Sequence, residues 1–468
     1  VAASRWRLIA RQKGDRTMKQ SKQISRREFL ATAAAGTAAI GVPYLIPARV
    51  LAGPAKTGAS ERLTMAHIGV GGMGGFHLRD MKRFQDNGTV NIAAVCDIDE
   101  KRLAGAVKTA GAGVDAYRDY RYILERKDID AVVIATPDHW HAVQMVHAAE
   151  CGKHVYVEKP ACCTIEEGKA MVAAAKKYKV SVQVGSQGRS QPEAYLAHRY
   201  LVNGNIGRIQ KVACFHYNSP IDDNPVPDGD PPPELDWDMW LGPLRWRPYN
   251  KRYCHGTFRW IMESGGGQIR DRGAHVMSCA MWWMGADGTA PVTVEATGTP
   301  PTKGLWDSAV TLDVTYTFRN PDWVLTWNQH TGNAVPAEER TGQEPGGKIS
   351  RPDYGAVYYG DNGKFVHWGG DGGTWVEKKA REWKPPAGAK DVYESPGHKE
   401  DWFNGIKTGA KTIMNIEAAV GVANLCNLGN LSYILGRKLQ WDQAGQEIVG
   451  DMQARRMMAR PQRHPYHL

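Results

Sequence analysis

Ile68-Gly69-Val70-Gly71-Gly72-Met73-Gly74 follows a short apolar run and opens a helical stretch. Its glycines fall in the order G-x-G-x-x-G, and this constrains the fold more than any other feature of the chain. The pattern demands a tight strand-to-helix turn with bare backbone. Gly69 permits the turn, Gly71 lets backbone approach an anion at the helix N-terminus, and Gly74 lets helix and strand pack closely. Glycine-rich loops are common, so the flanking strand and helix carry the inference.

The chain downstream repeats the same unit. Short apolar runs at Thr64–Gly69, Asn91–Cys96, Ala131–Ala135, His154–Val157 and Val180–Val184 alternate with helical patterns such as Asp138–Cys151 and Ile165–Lys179. Such alternation predicts a parallel sheet with crossover helices. Asp97 stands 23 residues beyond Gly74, at the end of the second run. An acid there holds the adenosine ribose hydroxyls of a dinucleotide. Asp97 repels a 2′-phosphate, so NAD is expected over NADP, with Arg102 moderating the preference. The bland alternative for Asp97 is a cap on the helix expected over Asp99–Ala110.

After Gly207 the pattern changes to alternating strand-like runs at Ile209–Tyr217, Val292–Gly298, Val310–Phe318 and Trp323–His330. A hairpin is predicted around Asp361-Asn362-Gly363. Helices are expected at Pro192–Asn203, Lys399–Lys407 and Ile416–Leu435, the last two packing back across the domain boundary. Loops are expected over Ser219–Glu234 and about Gly332–Asp353. The predicted class is α/β: an N-terminal Rossmann domain over 63–190, and an α+β domain with an open, mainly antiparallel sheet over 191–450. An open sheet face suggests a homo-oligomer.

The net charge of +10 is misleading. Residues 1–52 hold ten Lys/Arg and two acids, which leaves the rest of the chain near neutral and without the footprint of a nucleic-acid binder. Within the leader, Met18 precedes a basic stretch, Ser25-Arg26-Arg27-Glu28-Phe29-Leu30, and a weakly apolar run from Ala31 to Pro47. Val50-Leu51-Ala52 offers a cleavage site. This resembles a twin-arginine (Tat) signal, with Met18 as the expected start, and implies export to the periplasm by the Tat machinery. An uncleaved signal would leave a membrane anchor; no other stretch reads as membrane-spanning. None of the eight Cys sits in a CxxC spacing, so free thiols are expected.

Chemistry-bearing residues cluster at two further places. Glu158-Lys159-Pro160 follows the run His154–Val157, where a Lys at the carboxyl end of a parallel strand points into the ligand crevice. There its ammonium can stabilise an oxyanion or its amine can move a proton. Asp271 and His275 lie four residues apart, so a helix would put them on one face. A carboxylate beside an imidazole can bind a polyol and take its hydroxyl proton, although an isolated Asp-x-x-x-His is more often a surface pair. Between them, Leu235–Pro243 with Trp246, Tyr249 and Trp260 is rich in aromatics and acids. Trp240 and Trp260 are expected to face a sugar ring, although any one Trp can equally anchor the loop.

Taken together, the glycine turn with His77, Ala135-Thr136-Pro137 with His141, Glu158-Lys159-Pro160, and Asp271 with His275 resemble the Gfo/Idh/MocA oxidoreductases. The likeness runs from about Leu63 to Asp442. It implies an NAD(P)-dependent oxidoreductase acting on CH–OH groups of a sugar, glycoside or cyclitol. It also implies that Lys159 and His275 are the catalytic pair, assisted by Asp271. Gly69, Gly71, Gly72, Met73, Gly74, Asp97, Thr136, Pro137, His141, Glu158 and Lys159 would form the cofactor site. His77, His139 and His141 invite a metal reading, but His139-Trp140-His141 fits the opening of a helix near the cofactor better, and no metal is expected.

Export implies a tightly held dinucleotide regenerated in place. Two chemistries fit: coupled oxidation and reduction of two sugars, or transient oxidation followed by elimination of a glycosidic substituent, which makes a glycoside hydrolase or lyase in net effect. A non-catalytic sugar-binding protein is the third reading, and intact Lys159, Asp271 and His275 count against it.

Overall fold

The computed structural model describes residues 62–329, 354–370 and 373–468. The leader and the loop expected over about Gly332–Asp353 lie outside them.

The first domain alternates strand and helix: β1 Leu63–Ile68, α1 Gly72–Asp86, β2 Val90–Cys96, α2 Glu100–Ala110, β3 Asp115–Tyr117, α3 Arg121–Leu124, β4 Ala131–Ile134, α4 Asp138–Glu150, β5 His154–Val157, α5 Ile165–Tyr178 and β6 Val182–Val184. The six strands pair in the order β3-β2-β1-β4-β5-β6, all parallel. Helices cover both faces, so the central strands are apolar throughout; all four residues of β4 are buried. The strand order reverses between β1 and β4, which places a ligand crevice at their carboxyl ends.

The second domain contains α6 Pro192–Val202, β7 Ile209–His216, α7 Trp237–Leu241, α8 Gln268–Asp271, α9 Gly273–Trp283, β8 Thr293–Thr299, β9 Thr311–Phe318, β10 Trp323–Gln329, β11 Gly355–Gly360, β12 Gly363–Gly369, β13 Thr374–Val376, α10 Lys378–Arg381, α11 His398–Thr408, α12 Ile416–Leu435, β14 Leu439–Asp442, β15 Glu447–Val449 and α13 Met452–Arg456. Its described strands form one sheet, β13-β12-β11-β7-β10-β9-β8-β14-β15. Neighbours are antiparallel except β7 and β10. In the expected hairpin, Gly360 pairs with Gly363 and leaves Asp361-Asn362 as the turn.

Two late helices return to the first domain. Trp402 of α11 packs edge-on against Tyr156 at 5.7 Å and Phe403 against Phe84 at 5.1 Å. By length and hydropathy α12 could cross a membrane, contrary to the expectation that no such stretch follows the leader. It is instead a core helix, 72% buried in that window and packed on α5, α9 and β8. The chain past 450, assigned to no domain from the sequence, also returns. The Arg460 guanidinium donates to Glu167 Oε1 (2.8 Å) and to the carbonyls of Glu263 (2.8 Å) and His139 (3.0 Å). All eight cysteines are free.

Candidate active site

The glycine turn is tight because nothing larger fits. Gly69 has φ +79°, and a Cβ there would lie 2.8 Å from the backbone of Ala135 and Thr136. A Cβ at Gly74 would lie 2.8 Å from the Gly69 carbonyl carbon and nearer its oxygen. The turn feeds directly into α1, whose first N–H groups have no partner within the helix and favour an anion. Asp97 locks the turn from below. It accepts hydrogen bonds from the N–H of Val70 (2.9 Å) and of Asp99 (3.0 Å), and burial raises its pKa. The helix cap is Asp99, which accepts from the N–H groups of Lys101 and Arg102; Asp97 is left to serve the turn. The Arg102 guanidinium lies across Gly71.

This turn lines a cleft of about 990 Å³ that also takes in Pro137, Glu158, Lys159, Asp271 and His275. The bare cradle, the helix N-terminus and a buried acid at the end of β2 fit a dinucleotide, with Gly69–Gly74 and Asp97 as its holders.

Lys159 leaves the end of β5 and reaches the second domain. Its ammonium donates to Asp271 Oδ1 and, at 3.1 Å, to the Asp271 carbonyl. The second bond explains a departure from expectation. Asp271 and His275 do not share one unbroken helix; α8 ends at Asp271 and α9 begins at Gly273. In a regular helix the His275 N–H would donate to the Asp271 carbonyl. Here it donates to Arg272 at 3.0 Å, and Lys159 takes the freed acceptor. Lys159 fills the gap in the ladder, and both side chains still face the cleft. Arg259 Nε (3.1 Å) and Arg272 Nε (3.7 Å) also approach the Asp271 carboxylate. Burial pushes that carboxyl up, but the three cations outweigh it and hold it far below the ordinary range.

Glu158, expected against the cofactor, is committed within the protein. His77 Nε2 lies 2.7 Å from its Oε1, and Gln187 donates to the same oxygen at 2.9 Å. Burial alone would raise its pKa, yet the His77 hydrogen bond brings it down to about 2. His141 places its ring nitrogens 2.8 Å from the Pro160 carbonyl and 2.9 Å from that of Thr136, tying the turns after β5 and β4 together. His139 is buried and its Nε2 lies 2.9 Å from the Trp240 carbonyl. Burial lowers its pKa to about 3. Among the described residues no three His, Cys, Asp or Glu side chains gather as a metal site.

The two tryptophans part company. Trp240 stacks on Trp237 at 4.8 Å and lines the cleft. Trp260 lies outside the lining and packs toward Trp306 at 6.4 Å. Asp138, Arg259 and Gln187 are among the lining residues missed from the sequence. Asp138, raised to about 6 by burial, directly follows Pro137 and could have been found by its place. Arg259 and Gln187 sit in short 3₁₀ turns with no periodic signal.

Residues 63–186 match the family model GFO_IDH_MocA, "Oxidoreductase family, NAD-binding Rossmann fold". Residues 212–331 and 386–468 match its companion, "Oxidoreductase family, C-terminal alpha/beta domain". The chain belongs to the Gfo/Idh/MocA oxidoreductase family. Its Rossmann domain is an NAD-binding domain. A levoglucosan dehydrogenase of Pseudarthrobacter phenanthrenivorans is 45% identical over 91 residues, 19% of this chain and 23% of that protein. A glycosyl hydrolase family 109 protein of Shewanella pealeana is 32% identical over 174 residues, 33% of this chain and 38% of that protein. The chain thus spans less than half the length of these relatives. In fold it is similar to the WlbA dehydrogenase of Bordetella pertussis, crystallised with NADH and UDP-GlcNAcA. The TM-score is 0.58 at 18% identity, over 81% of this chain and 99% of that one.

Proposed function

We propose that this protein oxidises a ring CH–OH of a sugar, glycoside or cyclitol, with NAD held in the cleft. The carrying observation is that Lys159 of one domain and Asp271 and His275 of the other meet in the cleft that holds the glycine turn. When bound, NAD supplies a hydride acceptor. Lys159 holds the reacting oxygen and stabilises charge developing on it. His275 takes the hydroxyl proton as the C–H hydride departs, leaving a carbonyl. Asp271, kept ionised by its three cations, orients Lys159. Glu158, braced by His77, supports the backbone of Lys159.

A second reading keeps the same site and adds elimination. The new carbonyl acidifies the neighbouring C–H; that proton leaves and the glycosidic oxygen departs protonated as an alcohol, giving a C=C bond across which water adds, and the CH–OH would then be restored from bound reduced cofactor. The net reaction is hydrolysis, and the likeness to a glycosyl hydrolase family 109 protein favours it. Export by the Tat route would fit either, because Tat carries folded proteins and the dinucleotide can be loaded beforehand. The open sheet face suits self-association, which sedimentation would detect.

The test is direct. Purified protein is denatured and the released nicotinamide dinucleotide measured; native protein is then given a panel of sugars and glycosides while reduced nicotinamide absorbance is followed. Lys159→Ala should abolish turnover with dinucleotide still bound. Unchanged turnover removes Lys159 from the mechanism, and absence of any dinucleotide removes tight retention.

A further inference from the structure

Beyond the reacting groups the cleft continues along one face of α1. Met73, Phe76 and Asp80 lie three and four residues apart and form a stripe there, faced by Gln191 and the first turn of α11. Phe76 is 51% exposed and Met73 38%, which makes an apolar ledge. Beside it lies Lys399, only 5% exposed. Its ammonium sits 5.6 Å from the Phe76 ring and pairs with Asp80. Phe76 also meets the His77 ring edge-on at 5.8 Å, and His77 braces Glu158, the neighbour of Lys159. The ledge therefore abuts the catalytic wall.

Lys399 loses its hydration in this pair while the Asp80 side chain stays a quarter exposed, so the pair is weak evidence for stability. Here it fixes the Asp80 carboxylate at the cleft wall beside a half-exposed aromatic face. An aromatic ledge with a fixed polar group at its edge is how pockets recognise a sugar ring, which offers C–H groups on its face and hydroxyls on its rim. Met73 belongs to the turn assigned to the dinucleotide, whereas Phe76 and Asp80 lie further along α1 and Lys399 comes from α11, outside that turn.

We propose that Phe76, Asp80 and Lys399 form a subsite for a second pyranose ring. The substrate is then a glycoside of at least two rings, one at Lys159 and the next stacked on Phe76 with a hydroxyl on Asp80. This rests on the carbohydrate-oxidising reading above and adds the substrate class to it.

The experiment compares kcat/KM of the holoenzyme for disaccharides and for the corresponding methyl glycosides, in wild type and Phe76→Ala. The disaccharide should be preferred by wild type. Phe76→Ala should lower kcat/KM for the disaccharide about three- to tenfold through KM, the range of one lost stacking contact, while methyl glycosides change less than about twofold. Asp80→Asn should weaken the same preference. Equal loss on both substrates, or preference for the methyl glycoside, overturns the subsite. So does a change of oligomeric state in Phe76→Ala without a change in discrimination, which would make the ledge an interface. If no sugar reduces the bound dinucleotide, the carbohydrate-oxidising reading fails on its own. Disaccharide titration of tryptophan fluorescence then decides the subsite: binding weakened by Phe76→Ala supports it, and no binding refutes it.

Discussion

Gly74→Ala should strip the protein of its dinucleotide, whereas Gly75→Ala, one residue on, should not. A Cβ at Gly74 would stand 2.8 Å from the Gly69 carbonyl carbon. Carbon atoms rest about 3.5–4.0 Å apart, so α1 must retreat by roughly 1 Å. The obstacle cannot yield, because it is backbone and Gly69 is itself wedged against Ala135 and Thr136. Overpacking of this kind costs about 1–3 kcal/mol. If that cost falls on the helix N-terminus, the dinucleotide binds about five- to 150-fold more weakly. At Gly75 the nearest atoms to a new Cβ are Val70 O at 3.4 Å and Arg79 Nη1 at 3.5 Å, which is ordinary contact. Alanine inside a helix there gains up to about 1 kcal/mol over glycine. The assay is dinucleotide released per chain on denaturation, with Tm measured in parallel. Gly74→Ala should lose most of its dinucleotide and melt lower; Gly75→Ala should keep it and melt no lower. A fully loaded Gly74→Ala protein, or equal loss in both variants, would show that close packing at Gly74 does not set dinucleotide binding.

Two further outcomes follow from burial and charge. Glu158 is held near 2 against an ordinary value of 4.5, so its contribution to stability is present above pH 4.5 and is lost as pH falls toward 2. Urea midpoints of Glu158→Gln should therefore fall less steeply with acid than wild type over that window, by no more than about 3 kcal/mol in total; parallel curves would contradict this. Arg460→Met should cost about 3–5 kcal/mol, because it leaves Glu167 buried without its cation and two backbone carbonyls without a donor. Arg460→Lys should recover part of the loss, and a thermal melt equal to wild type would show that the tail is dispensable.

The sequence made the first domain legible because its signals are local. The glycine spacing, the apolar runs and Asp97 each declare themselves within a few residues, and the strands fall within two residues of expectation. The exception is β3, a three-residue edge strand with no fully buried residue and hence no apolar pattern. Lys159, Asp271 and His275 were legible as residue types, but the break at Arg272 was not, because the lysine that occupies the freed carbonyl lies over a hundred positions away. The hydrogen bonds of Glu158 were not legible for the same kind of reason: its partners His77 and Gln187 come from other elements. The sequence could not say which way the Trp260 ring faces, because the long segment between β7 and α8 has no periodicity. Arg460 had no readable signal, since it gains meaning only when Glu167, Glu263 and His139 converge on it.

In the proposed reaction hydride passes between a ring carbon and a dinucleotide beside Lys159 and His275. A sugar deuterated at the oxidised carbon tests it in a single turnover. Mass analysis of the dinucleotide released by acid quench should find the deuterium on the nicotinamide ring in wild type and none in Lys159→Ala. Turnover of the sugar by wild type with no label ever reaching the dinucleotide would contradict the claim outright.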